Sequence, residues 1–258
     1  HLPAVLEDDG PLPTLLSLPS LKSRFPRLRN SVRAHVEGDW LPAHGVSFRV
    51  AGALVRTLVV RLSEGVSEPE LAFMLKSCSN LHRFELTDYD LVGGDITGEF
   101  LQYLPACLKE LRLCLLRSLK DANLKLSVEV APHLQSISLE GNDDLTSDGM
   151  SVLARLRLKE LALVCTRAGA SPQIKEETLT QILAGNLQRL EDAGAGGAGE
   201  LRPLRSVLVG ELQALEISER AGPPLDLVEG GERFMHALGK HPLLRSLSLS
   251  GVVGLGDK

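Results

Sequence analysis

A glycine-rich segment is the first place in this sequence where residue types and spacing could do chemistry. Gly194-Ala-Gly196-Gly-Ala-Gly199 matches the G-x-G-x-x-G pattern with which some folds hold the phosphates of a dinucleotide. Such a loop needs a hydrophobic strand before it and a helix after it. Here residues 188–192 are mostly polar, and Pro203 follows closely. We therefore interpret the segment as a flexible linker.

Two groups of acidic or imidazole side chains have the chemistry of metal ligands. Asp143, Asp144 and Asp148 suggest calcium, but the offsets of an EF-hand loop and its distal Glu are absent from the sequence. These aspartates stand in a predicted turn, where Asp commonly bonds the backbone. His236 and His241 lack two further ligands at zinc-site spacing. The sequence predicts structural roles for all five residues and no metal site.

Motifs of nucleophilic catalysis and nucleotide binding are missing from the sequence. Neither G-x-S-x-G nor a Walker pattern occurs. Asp, Ser and His are present, but no spacing places them together. We predict that the protein is not an enzyme, needs no cofactor and takes no small-molecule substrate.

The feature that recurs along the chain is a short pattern, apolar-x-x-apolar-x-apolar. Its alternation is typical of a strand with its leucines inward, and its return every 24 to 32 residues indicates a stacked repeat. Leu187 and Leu190 begin a copy that has Asp192 in its third apolar position, and we place that copy between those of Leu158 and Leu212. The complete copies are Val55/Leu58/Val60, Leu81/Phe84/Leu86, Leu108/Leu111/Leu113, Leu134/Ile137/Leu139, Leu158/Leu161/Leu163, Leu212/Leu215/Ile217 and Leu244/Leu247/Leu249.

Helix signals lie between these predicted strands. The segment from Ser67 has the form of a capping box, and Ser171 precedes a proline at the first helical position. Shorter apolar groups begin at Phe100 and Phe234, whereas the β-branched Val128 predicts only a weak helix after Leu119. Since one unit cannot bury its apolar face alone, stacking supplies the core. The predicted fold class is α/β, a curved solenoid with a parallel sheet on its concave side and helices on its convex side.

The clearest unit runs from Leu134 to Ala154. It resembles the leucine-rich repeat superfamily, in particular the cysteine-containing branch of F-box-type proteins and the ribonuclease-inhibitor-like branch. In that family a side chain at the position of Asn142 bonds the loop backbone, so the resemblance implies this role for Asn142. Cys114 and Cys165 fall near the equivalent place in their own units. The resemblance covers about residues 54 to 258 and is more specific for fold than for function.

The repeat divides the chain into two predicted regions. Residues 1–53 do not carry it, and we interpret them as an N-terminal helical cap over the first repeat, with helix-forming residues 14–29 and Trp40 as a packing anchor. An F-box is the alternative interpretation of this region. Residues 54–258 are predicted to form an array of about eight units, the last incomplete, because Gly254 to Lys258 resembles the start of another turn.

Bulk composition disfavours several classes of protein. A net charge of -5 and a pI near 5.8 give no general attraction for phosphate backbones, so we expect no nucleic-acid partner. No apolar run approaches the roughly 18 residues of a membrane span. Four cysteines without a C-x-x-C pair favour a reducing intracellular compartment, cytoplasmic or mitochondrial. The chain begins at His1 rather than Met, so we expect it to be processed or part of a longer protein.

The outward positions of the stacked strands form a candidate protein-binding face. Parallel strands lie about 4.8 Å apart, which predicts Arg83 beside Glu110 and Glu85 beside Arg112. The face turns small and Ser-rich towards its C-terminal end, where a close-fitting helix or loop could lie. The convex helices, the loops and the N-terminal region are alternative binding surfaces. The candidate residues are Arg61, Arg83, Glu85, Glu110, Arg112, Ser136, Ser138, Glu140, Glu216, Ser246 and Ser248.

These features support three hypotheses about function. The first is a non-catalytic protein–protein interaction module, a scaffold or structural subunit of a larger assembly with one or more protein partners. A mitochondrial assembly is its specific version, because similar repeat proteins occur in respiratory and ribosomal assemblies. The second, implied by the F-box-type resemblance, is a substrate-recognition subunit of an SCF-type ubiquitin ligase. The third is an enzyme, or an inhibitor of one, that uses the glycine-rich loop.

Overall fold

The structure is a computed structural model that describes twelve segments of the chain. These are residues 32–36, 47–49, 51–62, 66–88, 96–142, 144–165, 177–185, 212–219, 225–226, 231–241, 244–250 and 252–253.

Eight strands of the described residues form one parallel sheet. Their order in the sheet is β1-β2-β3-β4-β5-β6-β7-β9, which follows the chain. Two short strands, β8 and β10, pair with each other in a second, parallel sheet. The bounds are β1 Val32–Val36, β2 Val55–Arg61, β3 Arg83–Thr87, β4 Glu110–Cys114, β5 Ser136–Glu140, β6 Glu160–Cys165, β7 Ala214–Glu219, β8 Leu225–Asp226, β9 Ser246–Ser250 and β10 Val252–Val253.

Two strand assignments differ from the sequence analysis. Strand β1, which lies in the region interpreted as a helical cap, pairs with β2 and extends the sheet. Strand β6 pairs directly with β7, with Glu160 opposite Ala214, so the predicted strand of the Leu187 copy does not lie between them. That copy has a charged side chain, Asp192, where the third inward position would bury it. Residues 14–29, Trp40 and the glycine-rich segment lie outside the described residues.

Helices follow the strands and form the second layer. The labelled α-helices are α1 Glu68–Ser77, α2 Asp121–Val130, α3 Ser147–Met150, α4 at residues 177–185 and α5 Gly231–Leu238. The 3-10 helices are Gly52–Leu54, Glu99–Tyr103 and Ser151–Arg155. The helices of successive units pack on one another, α1 on Glu99–Tyr103 and that segment on α2.

Helix α1 begins as its sequence predicts. Ser67 is its N-cap in extended conformation, and the side chain of Glu70 accepts hydrogen bonds from the backbone N–H and the hydroxyl of Ser67. The sequence predicts only a weak helix after Leu119, but α2 is a regular α-helix of ten residues. Leu124 and Val128 are buried on its inner face, and this packing outweighs the low helix propensity of valine. The Ser171 start signal lies outside the described residues.

The core is built from the inward positions of the repeat. The first apolar residue and the two strand leucines of successive units stack on one another, and most are fully buried. Leu247, predicted inward, is instead 44% exposed, because it stands on β9, the last strand of the sheet. The core column through the middle of the sheet is Leu58, Phe84, Leu111, Ile137, Leu161 and Leu215, each no more than 2% exposed. The predicted solenoid of stacked strand-and-helix units is therefore confirmed. Burial of these apolar side chains supplies the driving force that no single unit has alone.

Asn142 links its unit to the preceding one. Its Nδ2 donates to the carbonyl of Leu113 at 2.8 Å, and its Oδ1 accepts from the backbone N–H of Leu116 at 3.0 Å. The side chain is buried, so both backbone groups depend on it rather than on water. The role that the resemblance implies for Asn142 is confirmed.

Candidate binding face

The outward side chains of the sheet line a depression of about 300 Å³. It crosses six strands, from β3 to β7 and β9, so each unit contributes one or two side chains at fixed register. We call the outward surface of β2 to β7 and β9 the concave face. The outward residues that line the depression are Arg83, Glu110, Arg112, Ser136, Ser138, Glu160, Ala162, Ala214, Ser246 and Ser248.

Arg83 holds two carboxylates at the N-terminal side of this depression. Its Nη1 lies 3.1 Å from Oε2 of Glu110 on the next strand, and its Nη2 lies 3.2 Å from Oε2 of Glu85 on its own strand. The Arg83 side chain is 43% exposed, so each pair contributes only about 0 to 1 kcal/mol to stability. The arrangement fixes the direction of three charged groups more than it stabilises the fold.

Arg112 forms a second cluster one strand further on. Its Nε donates to the sulfur of Cys114 at 3.4 Å, and its Nη2 lies 3.7 Å from Oε2 of Glu140. The hydrogen bond with Cys114 is the main cause that raises the pKa of Arg112, with a smaller contribution from Glu85 and Glu140. Burial raises the pKa of the Cys114 thiol, against the opposing effect of Arg112, so this thiol stays protonated at neutral pH.

The third outward position is buried on β3, β4 and β6, whereas Arg61 in the same column of β2 is exposed. Thr87, Cys114 and Val164 occupy this position and are buried. Cys114 stands opposite Glu140 in the register, two residues before the equivalent of Asn142, which is Leu116. The thiol therefore faces Arg112 and Glu140 and has no part in the loop bonds that Asn142 makes. On β3, β4 and β6 the open part of the concave face is therefore limited to the first two outward columns.

The C-terminal half of the depression has a floor of small side chains. Ser138, Ala162, Ala214 and the exposed Ser246 and Ser248 leave the backbone of the sheet accessible. Beside them, Ser136 donates its hydroxyl to Oε2 of Glu160 at 2.9 Å. The face thus carries charged side chains at its N-terminal side and small side chains at its C-terminal side.

The structure brings together most of the residues that the sequence singles out. Seven of them line the depression: Arg83, Glu110, Arg112, Ser136, Ser138, Ser246 and Ser248. Glu85 and Glu140 border it through the two arginines, Arg61 lies exposed on β2 opposite Thr87, and Glu216 stands on β7 between Ala162 and Ser248.

Three further lining residues were not among the candidates, namely Glu160, Ala162 and Ala214. They stand at the first two outward positions of β6 and β7, in the same register columns as Ser136 and Ser138. The column position was the signal that could have identified them, since alanine carries no functional group that attracts notice.

The other candidates for chemistry are separated in the structure. His236 is exposed on α5 and His241 is buried beyond its end. Thr146 caps the backbone N–H of Asp148 at 3.2 Å, so this segment is a helix start. Burial raises the pKa of the Cys78 thiol to about 12. Within the described residues, no group of three or more His, Cys, Asp or Glu side chains is arranged to hold a metal ion.

The repeat and the register together define the fold as a leucine-rich repeat solenoid. No family model matches the chain. No curated protein sequence matches it either. Among solved structures, the chain is similar to the leucine-rich repeat-containing protein LegL7 from Legionella pneumophila, with 16% identity and a TM-score of 0.37 over 79% of this chain and 68% of that one. None of the described helices is long and apolar enough to span a membrane.

Proposed function

We propose that the protein is a non-catalytic protein–protein interaction module and that its concave face binds the partner. The observation that carries this proposal is the depression of about 300 Å³ across six hydrogen-bonded strands. Because every lining side chain stands on a strand whose neighbours fix its place, the surface is organised before the partner arrives. Less conformational entropy is then lost on binding.

The two sides of the depression have different roles in binding a partner. The floor of Ser138, Ala162 and Ala214 lets a partner backbone or helix approach the sheet closely. Arg83 and Arg112, each already oriented by a carboxylate, set the direction in which a charged partner group is accepted. A protein segment that is small or polar on one face suits this surface, because the lining residues extend across six strands and include small side chains.

The finer proposal is that the module serves as a scaffold or structural subunit of a larger assembly, with a mitochondrial assembly as one form. A solenoid offers several surfaces to different neighbours, which favours such a role. The alternative is a substrate-recognition subunit of an SCF-type ubiquitin ligase. Its support is the likeness of residues 134–154 to F-box-type repeats, including the loop bonds of Asn142.

A native pull-down with mass spectrometry on the tagged full-length protein tests this proposal. In one variant, Ser138→Arg with Ala162→Arg fills the floor of the depression. The matched control, Gln102→Arg with Ala122→Arg, adds the same charge at two exposed positions on the helical layer. We expect a stoichiometric partner set with the wild type and the control, and its loss with the first variant.

The identity of the captured proteins decides between the finer proposals. Respiratory or ribosomal subunits support the structural role in a mitochondrial assembly, whereas cullin-type ligase components support the degradation receptor. Undiminished capture by Ser138→Arg with Ala162→Arg would contradict binding through the concave face.

A further inference from the structure

A row of basic residues runs along one rim of the sheet, just outside the concave face. The residue immediately before strands β3, β4, β6 and β9 is His82, Lys109, Lys159 and Arg245, and Arg56 occupies the same row on β2. Gln135 and Gln213 fill the two remaining positions, before β5 and β7. Five of the seven positions carry Lys, Arg or His and none carries an acid, in a chain whose net charge is -5. We call these seven residues the basic row.

A continuous set of backbone hydrogen bonds makes these residues neighbours. The backbone N–H of His82 donates to the carbonyl of Arg56 at 2.8 Å, and that of Lys109 donates to the carbonyl of His82 at 2.9 Å. The same bond joins each following member to the one before it, up to Arg245 and Gln213 at 2.8 Å. The charges are therefore spaced by the sheet, at about 4.8 Å for each strand, over a length of about 29 Å.

The side chains of the basic row are available to a partner. Lys109 and Arg245 are exposed, and Arg56, His82 and Lys159 are partly exposed. Arg56 Nη1 lies 3.2 Å from Nε2 of His82, so the first two members of the row touch. In the described part of the chain, no ion pair involves Lys109, Lys159 or Arg245.

Two carboxylates that follow row residues in sequence make their contacts away from the row. Glu110 follows Lys109 in sequence but accepts from Arg83, and Glu160 follows Lys159 but accepts from the hydroxyl of Ser136. Both contacts hold the carboxylates over the concave face. His133 and Arg157 add exposed basic side chains two residues further from the sheet.

We propose that the basic row binds an acidic segment of a protein partner in extended conformation. A segment of about nine residues spans about 29 Å at about 3.3 Å for each residue. Its carboxylates would pair with the lysines and arginines, and the amide side chains of Gln135 and Gln213 would bond its backbone between them. This surface goes beyond the concave face and does not depend on what that face binds.

Two features favour an acidic protein segment over nucleic acid. The basic row contains no Phe, Tyr or Trp side chain on which a base could stack. The pI near 5.8 points the same way.

Fluorescence anisotropy on the full chain with labelled decaglutamate tests the proposal. The variant Lys109→Gln with Lys159→Gln removes two charges from the row. The matched control is Lys120→Gln with Lys125→Gln. It removes two exposed charges, one at the N-cap of α2 and one inside this helix. We expect saturable binding by the wild type, about ten-fold weaker binding by the first variant and little change in the control.

Three outcomes would overturn the proposal. Equal weakening in both variants would show that net charge alone attracts the peptide, and absence of saturable decaglutamate binding would show that the row is not a docking surface. Tighter binding of decauridylate RNA, or of vesicles containing phosphatidylserine, lost in Lys109→Gln with Lys159→Gln alone, would assign the row to a different partner class.

Discussion

The carboxylate of Glu68 accepts the backbone N–H of Phe100 at 2.9 Å, although the two residues belong to successive units. The same carboxylate accepts from the backbone N–H of Gly98 at 2.7 Å and from the hydroxyl of Thr97 at 3.1 Å. Glu68 is the first residue of α1, and its partners begin the 3-10 helix Glu99–Tyr103. An acidic residue at the start of one helix thus accepts hydrogen bonds from N–H groups at the start of the next helix, which have no acceptor within that helix.

Replacing Glu68 with Gln should lower the free energy of unfolding by about 2 kcal/mol. The partly buried backbone N–H groups of Gly98 and Phe100 would lose a charged acceptor, and the amide NH2 of the new side chain cannot accept their hydrogen bonds. Chemical denaturation of both proteins measures this change. Glu70→Gln removes the same charge from the same helical turn but affects only the cap at Ser67, so it should cost less than about 1 kcal/mol. Equal costs for the two variants would contradict the role of Glu68 between units.

Asp121 at the start of α2 repeats this arrangement with Thr146, whose backbone N–H donates to Oδ1 at 2.8 Å. A Cβ at Gly149 would lie 2.0 Å from Oδ1 of Asp121, so the two residues compete for one space. Gly149→Ala should therefore destabilise the protein by about 2 kcal/mol. The double variant with Asp121→Ala should cost clearly less than the sum of the two single changes. Additive costs would show that the two sites do not interact.

Asn142→Ala should cost about 3 kcal/mol, since it leaves the buried N–H of Leu116 and the carbonyl of Leu113 without partners. Asn80 is the control, because its Nδ2 also donates to the preceding unit, at 2.8 Å from the carbonyl of Ala53, but at an exposed site where water can replace it. Asn80→Ala should cost less than about 1 kcal/mol. Urea unfolding midpoints give both values, and a small effect at Asn142 would contradict its role in holding the units together.

His241 makes stability depend on pH. Burial lowers its pKa below the ordinary value of 6.5, because the charged imidazolium loses its hydration there. The unfolded chain then binds a proton that the folded chain does not, so stability is fully present above pH 6.5 and falls as the pH drops below it. Denaturation between pH 8 and 5 should show a shallower fall for His241→Leu than for the wild type. The exposed His236→Gln should keep the wild-type slope, and a change there instead would refute the assignment.

The inward core could be predicted because it depends on a pattern within each unit. The spacing of Leu108, Leu111 and Leu113 puts three side chains inward in any strand, and the repeat of that spacing predicts the stacking. Strand β1 has no such triplet and was not predicted. The turn after β4 was equally hidden, since Leu115 adopts a φ of 64° that the equivalent Gly141 in the next unit also adopts but that leucine rarely does.

The candidate face was predictable only in part, for the same reason. Register aligned Arg83 with Glu110, as the sequence analysis expected. However, the bond of Arg83 to Glu85 and the bond of Ser136 to Glu160 depend on the rotamers of these side chains. The first of these contacts joins residues two apart and the second residues 24 apart, and the pattern of inward leucines does not specify which rotamer each side chain adopts. The basic row depends on which residue type precedes each strand.

The affinity of an isolated partner for two variants of this chain tests the central claim most directly. Isothermal titration of the protein captured in the pull-down would compare the wild type, Ser138→Arg with Ala162→Arg, and the helical-layer control Gln102→Arg with Ala122→Arg. Binding through the concave face predicts at least about ten-fold weaker binding for the first variant and an unchanged Kd for the control. An unchanged Kd for Ser138→Arg with Ala162→Arg, in a protein with wild-type stability, would contradict the claim.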